Sequence, residues 1–211
     1  MPDTDGTVPD MSDHQNEFEF EQLREGQHVG ALDLTQLSRA DARFILRGAT
    51  LARLTDFLSV NPLAAIRIGP LESGRLAGRY QPQTRVLELN TRRAGSTFGS
   101  QARPGQVAAV SAWGQTKRAA MQMSFVHELG HHLLETHPSA FGLSLAARQP
   151  EVKPISYRAR VERQEYFCES LVAYTFFANE LTRHDPIGHT MIETLHAALR
   201  REAHDRNQSQ P

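Results

Sequence analysis

His127-Glu128-Leu129-Gly130-His131 sets two imidazoles four residues apart in a stretch that reads as a buried helix, and few folds accommodate that combination. Residues at i and i+4 lie about 40° apart around a helix, so both rings can meet one metal ion from the same side. Glu128 follows the first histidine, beside that side without joining it, and is placed to take a proton from water activated there. Around the motif Met123, Phe125, Val126, Leu129, Leu133 and Leu134 are apolar, Ala119 and Ala120 favour helix, and Thr116 is a capping residue. The pattern predicts a helix over 116–136, stopped by Pro138. Such a helix packs in the core, where two histidines and a glutamate are costly without a partner. A metal ion fits their spacing, and Zn2+ fits their donor chemistry.

Zinc needs a third protein ligand, with a fourth position left for water if the site is catalytic. Three residues compete. His137 stands ten after His127, where HExxHxxGxxH places a third histidine, but that pattern needs Gly where this chain has Leu134. As a plain helix-end residue, His137 would also suit the helix dipole. Glu165 lies in a run whose Tyr166, Phe167, Leu171, Val172, Tyr174, Phe176 and Phe177 predict a strongly apolar helix over 160–181. Glu169 shares its face, and two buried carboxylates repel unless a cation or hydrogen bonds hold them. The natural division makes Glu165 the ligand and Glu169 the acceptor that orients a histidine through its other ring nitrogen, with the reverse assignment open. Cys168, the third candidate, reads more simply as a small buried residue of the same helix.

Together, His127-Glu128-Leu129-Gly130-His131-His132 and Glu165-Tyr166-Phe167-Cys168-Glu169-Ser170-Leu171 resemble the zincin metallopeptidases of the glutamate-ligand type. The second segment is similar to the E-F-F-A-E-x-F helix of anthrax-lethal-factor-like catalytic domains, and more loosely to the corresponding helix of ImmA/IrrE-type zincins. The resemblance spans about 110–185. It implies a zincin-like α+β domain, Glu165 as third zinc ligand, Glu169 as a neighbouring acid, and Tyr157 as a catalytic assistant before the second helix. Tyr157 would hydrogen-bond the developing oxyanion, a role His184 could fill instead.

The rest of the chain is read around that centre. Residues 1–30 carry eight acidic groups against one arginine, which predicts a disordered or lightly docked arm. With 23 basic and 24 acidic side chains in all, the remainder is net positive by about six. One domain is expected over 31–205, with a polar tail at 206–211. Ser38 and Asp41 form a capping box ahead of a predicted helix over 39–59, weakened at Gly48. Strands are predicted at 65–68, 75–80 and 85–89, giving a small antiparallel or mixed sheet. Residues 92–115 read as a loop at the cleft rim, and 187–202 as an amphipathic helix. The single cysteine, the acidic N-terminus and the lack of a membrane-length apolar run lead to the expectation of a cytoplasmic protein, or one exported without a cleavable N-terminal signal. No nucleic-acid motif or phosphate loop is found, so the expected partner is a protein or peptide substrate. The expected activity is that of a zinc-dependent endopeptidase of narrow specificity. The alternative is a zincin-fold regulatory or peptide-binding protein without turnover, in which Glu128 would have no task.

Overall fold

The computed structural model describes residues 16–19, 29–73, 76–92, 116–147, 159 and 162–209. Five strands and six helices lie among them: β1 (Asn16–Glu19), β2 (Ala31–Leu34), α1 (Arg39–Leu51), α2 (Thr55–Val60), β3 (Ala65–Gly69), β4 (Gly78–Gln81), β5 (Val86–Asn90), α3 (Lys117–Thr136), α4 (Pro138–Ala147), α5 (Arg163–His184) and α6 (Pro186–Gln208). This is an α+β arrangement. None of these helices is long and apolar enough to cross a membrane.

The sheet is mixed, in the order β1-β2-β3-β5-β4, with β2, β3 and β5 parallel and an antiparallel strand at each edge. Its register follows from alternation along each strand. Leu32, Ile66, Leu87 and Tyr80 line up in one row, and Leu34, Ile68, Leu89 and Gly78 in the next, facing the helices. The opposite face carries Asp33, Arg67, Glu88 and Arg79 in one line, so charge alternates from strand to strand. Arg79 holds Glu88 at 2.5 and 2.8 Å, and the Gln81 amide donates to the same carboxylate at 2.7 Å.

Four expectations about elements change. The segment 39–59 is two helices, because Leu54 N–H bonds to the Ala49 carbonyl at 2.9 Å and Arg53 N–H to Thr50 at 3.0 Å, a Schellman stop with Arg53 at φ 56°. Such stops usually carry glycine, and the arginine hid this one. Pro138 ends α3 but also opens α4, where its missing N–H costs nothing. Asn16–Glu19, inside the expected disordered arm, pairs with β2, and α6 continues to Gln208 through residues expected to be a tail. Backbone pairing at a sheet edge leaves little mark on composition. Val29, at the end of the expected arm, is buried in the core; apart from it and Gly30, the other arm residues, and residues 93–115 of the predicted rim loop, lie outside the described residues.

The motif helix α3 sits at the centre. Its Thr116 side chain accepts from Ala119 N–H at 3.2 Å, and the helix packs against α1, α5 and the β4–β5 hairpin. It is buried on almost every side, from Ala119 to Leu134. α5 packs in turn on α6, whose start is fixed by Asp185. That buried carboxylate accepts from Gly188 N–H at 2.9 Å and from the Tyr166 hydroxyl at 3.1 Å.

Candidate metal centre

The site is made by the close approach of α3 and α5. A methyl group added at Gly130 would lie 2.8 Å from Cys168 Sγ and 3.1 Å from Cys168 Cα, so glycine in the middle of the motif is what lets the two helices touch. Buried Cys168 is the small residue on the other side of that contact. Three residues before it and one residue after it, Glu165 and Glu169 come opposite the motif histidines.

Glu165 spans both imidazoles. One of its oxygens lies 3.3 Å from His127 Nε2 and the other 3.6 Å from His131 Nε2. Glu169 takes the other nitrogen of the first ring, with His127 Nδ1 at 3.1 Å, so Nδ1–H donates to it and Nε2 faces Glu165, carrying a proton in the imidazolium or free to bind a cation in the neutral ring. His127 Nε2 is buried and makes no hydrogen bond among the described residues, despite its nearness to that carboxylate. Two atoms bound tetrahedrally to zinc at about 2.0–2.1 Å are themselves about 3.3–3.4 Å apart. The 3.3 Å between His127 Nε2 and Glu165 has the spacing of two ligand atoms on one cation, and His131 Nε2 lies close by on the other oxygen of the same carboxylate.

Electrostatics point the same way. Burial alone would push the His127 imidazole down, but Glu165, Glu169 and Glu128 more than reverse this and raise it to about 10. The cluster is one that seeks positive charge. Two overlapping groups, His127/His131/Cys168 and His127/Glu165/Glu169, bring ligand atoms within 4.8 Å of one another and could hold a metal ion. The His127 side chain is 8% exposed and that of His131 21%, so the cluster opens to solvent on the His131 side.

That opening is a cleft of about 350 Å³ between α3 and edge strand β4, lined by Gly78, Tyr80, Glu128, His131, Leu134 and Phe141, among others. A methyl at Gly78 would come within 2.9 Å of Glu128 Cγ, so β4 passes directly over the motif glutamate because position 78 has no side chain. Glu128 is buried yet lines this cleft.

Other sequence candidates fall elsewhere. His137 faces α6, with Nε2 2.9 Å from Glu202, and belongs to neither metal group. His184 ends α5, nineteen residues beyond Glu165 and past a kink at Phe177, and belongs to neither metal group. Tyr157 lies outside the described residues. One functional contact was not foreseen: the ring of His132 receives the Tyr80 hydroxyl at Nδ1, 2.9 Å, and donates from Nε2 to the Asn61 carbonyl, 2.8 Å. A carbonyl only accepts, which fixes this tautomer. The contact ties the motif helix to the strand over the cleft, and no sequence pattern announces it.

Compared with known proteins, the chain matches no protein-family model, no curated protein and no solved structure. What its described residues define is an α+β domain with a buried His/Glu cluster able to hold a metal ion.

Proposed function

We propose that this chain is a zinc-dependent peptidase of the zincin type, with His127, His131 and Glu165 as ligands and Glu128 as general base. The observation that carries the reading is the Glu165 carboxylate facing both motif imidazoles at 3.3 and 3.6 Å while Glu128 lines the adjoining cleft. Zinc, when bound, would supply the Lewis acid that activates water and polarises a carbonyl. The chain's own residues would do the rest. Glu128 accepts a proton from the attacking water and delivers it to the leaving amine. Glu169 holds His127 in the tautomer that presents Nε2. β4 is an edge strand whose outer side adjoins the cleft, so its backbone could pair with an extended peptide across Glu128. The buried Glu128 supports turnover over mere peptide capture, since a binding cleft needs no base there.

Metal analysis by mass spectrometry tests this on wild type, Glu128→Gln and Glu165→Ala. One zinc per chain is expected in the first two and none in the third, with peptide hydrolysis in wild type only. Zinc retained at full stoichiometry by Glu165→Ala would move the third ligand to Cys168 or Glu169. A Glu128→Gln protein as active as wild type would end the proposed mechanism.

A further inference from the structure

A second pocket, of about 240 Å³, shares no lining residue with the cleft and opens between the α1–α2 turn, the start of α2 and α6. Phe57 and Leu199 give it apolar walls, His196 lines it, and Arg53, Arg200 and Asp56 carry its charge. Two arginines against one aspartate leave it net positive by one. Among the described residues, neither guanidinium makes a hydrogen bond or ion pair. His196 is 3% exposed, and its Nε2 has no hydrogen-bond partner among the described residues.

Arg53 is there at a conformational cost. Its φ of 56° is the left-handed region, where glycine would hold the α1 stop with less strain. A side chain kept in such a backbone state points to a task beyond folding. The His196 imidazole reports the same charges: burial pushes it down, Arg53 and Arg200 push it further, to about 4, so it is neutral at pH 7.

We propose that this pocket binds a small carboxylate with an apolar body, its anionic end held by Arg53 and Arg200 and its apolar part against Phe57 and Leu199. The volume is several times what a phosphate fills, and a net charge of one suits a monoanion better than a dianion. Phe57 stands edge-on to His132, 5.5 Å between ring centres, so the occupant would sit behind the motif helix and outside the cleft.

The test titrates 4-phenylbutyrate into the full-length protein and follows the His196 ring by NMR, with 4-phenylbutanol and inorganic phosphate as controls. Saturable shifts are expected for the carboxylate, with binding about tenfold or more weaker for the alcohol and for phosphate. Arg53→Gly and Arg200→Gln should each weaken the carboxylate by a similar factor. Arg53→Gly is the decisive variant because glycine suits its backbone, so its melting temperature should be at least that of wild type. No saturation in wild type, equal affinity for the alcohol, or unchanged affinity in both variants would overturn the proposal. Tighter binding of phosphate would do the same.

Discussion

His127 and His132 are both buried imidazoles on α3, about 140° apart around the helix, and their surroundings differ in one respect. Both nitrogens of His132 are engaged by neutral partners, the Tyr80 hydroxyl and the Asn61 carbonyl, and burial lowers its affinity for a proton. His127 has only Nδ1 engaged, and its Nε2 faces carboxylate. The His132 ring is complete as it stands and serves as a structural pin. The His127 ring faces carboxylate at both nitrogens, a setting that suits positive charge, whether a proton or a metal ion. A histidine's role is therefore set by what meets its second nitrogen, and the side of the helix decides that.

The contrast is broken or upheld most directly by two alanine variants. His132→Ala leaves Tyr80 and the Asn61 carbonyl without their partner and opens a hole, so a loss of about 2–4 kcal/mol is expected in urea unfolding, with zinc still bound. His127→Ala should lose the zinc. A folded His132→Ala protein without metal would erase the distinction.

A third buried imidazole extends the comparison to pH. His196 has a folded value of about 4, below the 6.5 of an unfolded chain, so the unfolded state takes the proton first. Its contribution to stability is full above pH 6.5 and is lost as pH falls toward 4, a change on the order of 3 kcal/mol. His196→Leu should flatten the acid limb of a stability profile measured by denaturant titration. An unchanged limb would assign it to other groups.

Glu169→Ala sharpens the His127 side of the comparison, because it removes the acceptor that orients the ring while leaving Glu165 in place. Zinc affinity should fall about 10–100-fold in chelator competition without loss of stoichiometry. Unaltered affinity would mean that packing alone holds the ring. Gly130→Ala acts on both sides at once by forcing α3 from Cys168, at a cost of about 1–3 kcal/mol. Adding Cys168→Ala should recover part of that cost, since it removes the sulfur but not the backbone contact; no recovery would place the clash elsewhere.

The chain's own pattern carried much of this. The caps at Thr116 and Ser38, the extents of α3 and α5, and three of the strands could be read from periodicity and end signals, which are local properties. So could the pairing of Glu165 with Glu169, because two carboxylates on an apolar helix need a reason. Asp185-Pro186 was also a readable helix start that the prediction of 187–202 missed by one residue. The Arg53 stop was not readable, since nothing in an arginine signals φ 56°.

The sequence by itself determined that two imidazoles and a glutamate would lie together on one buried helix, because helical geometry fixes i and i+4. Only the tertiary structure decided which groups they would face. Glu165 meets His127 and His131 because Gly130 and Cys168 let two helices touch, and Glu128 borders a cleft because Gly78 leaves room for a strand above it. His132 is withdrawn from that company by Tyr80 and Asn61, distant in sequence. Long-range contacts of this kind depend on packing between elements, which no local spacing encodes.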